Sequence, residues 1–193
     1  MNIDEIFNKN HDPSLDYMVN IINSECSQFI GESESFPLLK NLPSTYGDFH
    51  KVKVRIKKKQ DDLSKIFNNA FHEAHSMIRE SAVFSNGEMS FIPANNEKEP
   101  FFIFPINGYQ YLYNPEVESL TEHNDVLNKL STLLGDKNMV AETLIELLKF
   151  TYKNNNLIEG INSGAEILFF NIPYYYAIRS SSFGSYDKVL TLL

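Results

Sequence analysis

Tryptophan is absent from this chain, and cysteine occurs once, at Cys26. A single cysteine excludes an intrachain disulfide and any Cys-x-x-Cys pair for zinc or redox work, so a stable core has to come from packing. It suits a reducing, cytoplasmic compartment. The default fate of Cys26 is a buried structural thiol, because a nucleophilic cysteine needs an electropositive setting and the surrounding sequence is acidic. No apolar run approaches the roughly 18 residues that a membrane-spanning helix requires. The first residues carry Asp4 and Glu5 and no apolar stretch, so no signal peptide is expected. Gly-x-Gly-x-x-Gly, the Walker lysine pattern and Gly-x-Ser-x-Gly are all missing. No cofactor is expected.

What the chain does have is aromatic carbon and segregated charge. Phe and Tyr supply the entire 13% aromatic share within a hydrophobic content of 42%, enough for a sizeable core in 193 residues. That length fits an acidic helical segment and connector over 1–48 followed by an α+β main domain over 49–193, or one domain over 1–193. The formal net charge is -8, yet residues 51–59, KVKVRIKKK, carry six cations and no anion. Residues 1–50 carry eight acids against Lys9 and Lys40, a net of -6.

In that strip Val52, Val54 and Ile56 alternate with Lys51, Lys53, Arg55 and Lys57. Period-two alternation of β-branched residues predicts a strand over 51–57 with one apolar and one basic face; Lys58 and Lys59 extend the charge past its end. Three roles fit such a face. It is a solvated or edge-protecting surface, it binds an acidic protein surface in this chain or another copy, or it tracks nucleic-acid phosphates beside stacking Phe and Tyr rings.

The remaining elements follow from periodicity. A helix is predicted from Asp12 to Ile30, with Pro13 at its first position and Gly31 closing it, then a connector over 31–48. A second helix is expected over 61–84 and a loop over 86–100. Asn107-Gly108 between the aromatic runs 101–106 and 109–113 predicts a type I′ hairpin, with Pro105 placing its strand at an edge or bulge. Two helices, one over 121–134 and one from just after Asp136 through Tyr152, form a helical hairpin, and residues 154–156 and 160–164 read as loops. One or two strands follow over 165–179, broken near 171–173. The expected fold is α+β: an antiparallel sheet of four or five strands with helices packed on one face.

Candidate chemistry is sparse. His72 and His75 stand three apart on a helix and would need a third metal ligand from His50, His123 or an acid; the helix phase puts His72 opposite the buried stripe, against a metal site. Glu97, Glu99, Glu116, Glu118, Glu159 and Glu166 are the acids from which a metal-dependent nuclease would be assembled, but no spacing singles out a set. RSSSFGS, 179–185, has phosphate-binding residue types without a phosphate-loop pattern and reads as a polar turn.

The stretches KVKVRIKKK, IFNNAF, AVFSNG and FIFPINGYQYLYNPEV resemble in style the proteins of large T4-type tailed bacteriophages, which are acidic, rich in Asn and Tyr and poor in Trp. The resemblance implies a virion part, an assembly factor or a modulator of host machinery, located in the virion or the host cytoplasm. Together these features lead to an expected non-enzymatic protein that works through protein contacts or self-association. Its binding residues are Lys51, Lys53, Arg55, Lys57, Lys58 and Lys59. The alternative is a nucleic-acid-binding protein or nuclease using the same strip.

Overall fold

A computed structural model describes residues 15–34, 36–55, 62–87, 97–116, 128–129, 132–133, 135–183 and 189. Most of the helix expected over 121–134 lies outside the described residues, as do Asp12, Pro13, Ile56, Lys57, Lys58, Lys59, Glu118, His123 and Gly184.

Among the described residues the elements are α1 (Leu15–Glu25), α2 (Ser27–Ser33), β1 (Leu39–Pro43), β2 (Phe49–Lys53), α3 (Asp62–His75), a 3-10 turn (Arg79–Ser81), β3 (Val83–Asn86), β4 (Lys98–Pro105), β5 (Gln110–Tyr113), α4 (Lys137–Thr151), α5 (Leu157–Asn162), β6 (Glu166–Phe170), β7 (Tyr174–Arg179) and α6 (Ser180–Phe183). The fold is α+β. Its antiparallel sheet has seven strands, not four or five, in the order β2-β7-β4-β1-β3-β6-β5. The additional strands come from segments that read otherwise. β1 lies in the expected connector, and β3 lies where a helix was expected to run on to Phe84. The helix ends at His75, where Ser76 takes a left-handed φ of 56°. The N-terminal helices and β1 share one core with strands of the later chain.

Helices cover both faces of the sheet, not one. On β6, Ile167 and Phe169 belong to one core with Met18 and Ile22 of α1, Phe29 of α2 and Leu157 of α5. Leu168 and Phe170 point the other way, into a second core with Phe67 and Phe71 of α3 and Leu144 and Leu148 of α4. The period-two alternation of a strand with both sides apolar requires this double cover. α4 begins where its sequence says: the Asp136 side chain accepts from the Asn138 N–H at 2.8 Å.

Asn107-Gly108 does not make a two-stranded hairpin. β4 pairs with β7 and β1, β5 pairs with β6, and three strands separate them. A type I′ turn needs positive φ at both central residues, and here only Gly108 has it, at 87°. The dipeptide instead grips the break between α1 and α2. The Asn107 carboxamide oxygen accepts from the Gln28 N–H at 2.9 Å, while its amide donates to the Ser24 carbonyl at 3.1 Å and the Ser27 hydroxyl at 3.2 Å. Cys26, at the N-cap of α2, supplies no side-chain cap, so Asn107, 79 positions beyond the Gln28 whose N–H it accepts, does it. Asn107→Ala should therefore lower stability by about 1–2 kcal/mol, the range for a lost cap. Urea unfolding checks this, and an unchanged midpoint would reject the capping role.

Pro105 lies in a central strand, not at an edge or bulge. The Ile103 N–H donates to the Leu38 carbonyl, so alternate N–H groups of β4 face β1. At Pro105 that direction points past the end of β1, which begins opposite Phe102, and the missing N–H forfeits no ladder bond.

Candidate interaction edge

β2 ends the strand order, so β7 holds one of its sides and no described strand pairs with the other. Two bonds fix which residues use which side. The Val54 N–H donates to the Pro173 carbonyl at 2.9 Å, and the Arg179 N–H to the Asp48 carbonyl at 2.8 Å. In an antiparallel ladder, residues alternate between exchanging bonds with the partner and turning their backbone away. Positions 48, 50, 52 and 54 therefore face β7. Lys51 and Lys53 turn their N–H and C=O groups to the edge that no described strand covers.

The side chains divide by the same parity. Val52 is buried and Val54 half-buried, while Lys53 and Arg55 are exposed. Phe49 shares the lysines' face but is buried and stacks on Tyr176 at 5.4 Å, so this face runs from core to solvent along the strand. Lys51 is half-buried. Its ammonium lies 3.7 Å from the Tyr174 ring centroid and 5.8 Å from that of Tyr176, within cation–π range. Both phenols donate to the same Glu25 oxygen at 2.9 Å. Burial, then the bond to Glu25 and its charge, raises the pKa of Tyr174 and Tyr176. On the opposite face His50 stacks on Tyr46 at 4.0 Å, and burial lowers its pKa.

The opposite edge of the sheet is treated differently. Tyr113 of β5 exchanges both backbone bonds with Lys153, at 3.0 and 2.8 Å, which caps that edge locally. The Tyr113 hydroxyl also donates to Glu159 at 2.8 Å, and Glu159 pairs with Lys153 at 2.7 Å.

The other sequence candidates are dispersed. His72 is exposed; His75 is half-buried against Phe71 and Tyr152, and burial lowers its pKa. No group of three or more His, Cys, Asp or Glu that could hold a metal occurs among the described residues. Glu99 is taken by Arg179 and Glu159 by Lys153. Cys26 is fully buried; burial, then the charge of Glu25, pushes its thiol up, as a structural cysteine requires. In RSSSFGS, the Ser180 hydroxyl donates to the Pro100 carbonyl at 2.9 Å and that of Ser182 to Asp48 at 2.6 Å, so both serve the fold.

Arg179 was read only as part of that turn, yet it is a hub. Its Nε donates to Asp48 at 3.0 Å, Nη1 to Glu99, and Nη2 to the carbonyls of Ser44, at 3.1 Å, and Tyr46. Glu25, Tyr174 and Tyr176 were likewise missed, because partners 149 and 151 residues apart leave no local pattern. No family model matches the chain, and neither a curated protein nor a solved structure matches it.

Proposed function

We propose that this chain is a non-enzymatic interaction protein acting through protein contacts, in which Lys51, Lys53 and Arg55 receive an acidic surface of a partner. Lys57, Lys58 and Lys59 continue the same charge in sequence. The observation that carries this reading is the placement of Lys51 and Lys53 on a sheet edge that no described strand covers, in a protein whose residues outside the six-cation strip sum to -14, that is -8 minus +6. Charge gathered at one place steers association and sets register more than it adds affinity. A structural, assembly or host-modulating role of the kind that the phage resemblance implies fits a surface of this type.

The nucleic-acid reading asks for ring faces open to bases. Tyr176 is 1% exposed, Phe49 stacks against it, and Lys51 covers Tyr174. The acidic remainder of the molecule also repels a polyanion at long range. Titration with labelled polyglutamate should give binding that weakens steeply with salt, since exposed charges are screened. The double variant Lys53→Ser/Arg55→Ser should abolish it with an unchanged far-ultraviolet spectrum, because both side chains lie in solvent. Mixed-sequence single-stranded and duplex DNA and RNA should form no sub-micromolar complex at about 150 mM salt. Such a complex, lost in the double variant, would overturn the proposal in favour of nucleic acid.

A further inference from the structure

We infer that the partner docks by strand addition: an extended acidic segment of another protein pairs antiparallel with β2 and becomes an eighth strand of the sheet. The inference rests on the reading of the basic edge as an interaction surface and specifies how that surface is used.

The backbone supplies the first argument. Of the three β2 residues that turn their N–H and C=O groups away from β7, Phe49, Lys51 and Lys53, the last two are the strand's cations. A strand laid along this edge makes its main-chain bonds to the residues whose side chains carry the charge. In an antiparallel ladder the two residues that exchange both bonds also stand directly opposite each other on one face. An incoming strand thus places two of its side chains, two positions apart, against Lys51 and Lys53. Opposite charges at such positions stabilise the pair and like charges destabilise it.

The charge of the edge selects the occupant. Two copies of β2 pairing with each other would also use the outward residues, so Lys51 and Lys53 would face Lys51, Lys53 or Phe49 of the second copy. Every such register sets lysine against lysine or leaves the charge uncompensated. The edge is thereby closed to self-pairing, the usual hazard of an open strand, and open to a strand of opposite charge. All strand pairs described in the sheet are antiparallel, which sets the direction.

The recognised sequence follows from the two faces. Acidic residues at i and i+2 meet Lys53 and Lys51. The residue between them lies on the face of Val52, which is apolar and buried, and of His50 stacked on Tyr46. The pattern is acid, β-branched apolar, acid, β-branched apolar, with main-chain bonds giving affinity and alternate side chains giving selectivity.

The experiment compares labelled eight-residue peptides by fluorescence anisotropy against the whole protein. One alternates Glu and Val. A second has the same composition scrambled. A third is the alternating peptide N-methylated at its glutamates, whose N–H groups bond to β2, and a fourth is N-methylated at its valines, whose N–H groups point away. The expected order is tight binding for the first and fourth peptides and at least about tenfold weaker binding for the second and third, since one tenfold step is of the size of a lost pair of main-chain bonds. Lys53→Glu should weaken the alternating peptide, and a peptide with Lys at the matching glutamate should recover. Equal binding of all four peptides would overturn strand addition and leave acidic docking standing. Binding of none would overturn both readings. A sedimentation profile showing a salt-stable dimer broken by Lys53→Glu would overturn the exclusion of self-pairing.

Discussion

Titrated into alkali, the protein should keep most of its phenols un-ionised well past the ordinary tyrosine range and then release them together as it unfolds. Seven of its ten tyrosines, Tyr109, Tyr111, Tyr113, Tyr152, Tyr174, Tyr175 and Tyr176, have pKa values raised above 10.0, with burial as the largest cause in each. Tyr109 also donates to Glu32 at 2.6 Å, and Tyr113 to Glu159, so ionisation would set two anions together. The sign follows from linkage. A group whose pKa is higher folded than unfolded contributes stability that is complete below pH 10.0 and is lost as the pH climbs toward the folded value. At about pH 12 each phenol still held neutral would cost the fold roughly 2.7 kcal/mol relative to an ionised unfolded chain. Two such groups consume about 5 kcal/mol, the lower end of a domain's whole stability. Phenolate absorbance and far-ultraviolet circular dichroism should therefore change in one coincident transition. Seven tyrosines ionising at the free-phenol midpoint while the dichroism stays native would sink the idea. Tyr176→Phe should shift the alkaline transition upward, because it removes one group that resists ionisation.

The Arg179→Ala protein should be less stable by about 2–4 kcal/mol, a fall in Tm of roughly 6–12 °C for a chain of this size. One guanidinium closes the β1–β2 loop, through Ser44, Tyr46 and Asp48, onto β4 and β7, with its side chain only 16% exposed. Asp48 and Glu99 are 45% and 40% exposed, so they rehydrate once the arginine is gone, and the cost stays below that of a fully buried pair. Arg179→Lys should recover little, because one ammonium cannot reproduce a planar fork that serves four acceptors. Calorimetry on both variants decides this; a lysine variant as stable as the parent would reduce the arginine to a simple charge.

Elements whose signals are local were legible in the sequence. α4 declares its start at Asp136, and the run 165–179, legible as one or two strands, declares its break near 171–173, where Asn171 takes a φ of 62°. β1 was hidden because LKNLP is short, holds a proline and offers no clean alternation. β3 was hidden because Val83 and Phe84 extend an apolar helical pattern, and nothing at Ser76 marks the turn in the backbone. The pairing of strands was the least legible feature. Asn-Gly encodes a reversal of the chain, but which strands become neighbours depends on surfaces made far away. At the candidate edge the charge of Lys51 and Lys53 was plain. The parity that turns their backbone outward, and the Tyr174–Tyr176–Glu25 group beneath Lys51, belong to contacts across most of the chain's length.

The strand order carries a consequence for synthesis on the ribosome. β7 is the final described strand along the chain, yet it sits between β2 and β4. Until residues 174–179 emerge, β2 has no neighbour among the described strands and β4 shows a bare flank of Phe102 and Phe104. The nascent chain thus carries a strand with three phenylalanines half-paired while the whole segment from β5 to β6 is made, and the sheet closes in a late step that no earlier segment can anticipate. Stop codons between β6 and β7 would leave a product with two adjacent unsatisfied edges. Shielding the growing polypeptide until β7 arrives is the physical demand this topology makes of the cell that synthesises it.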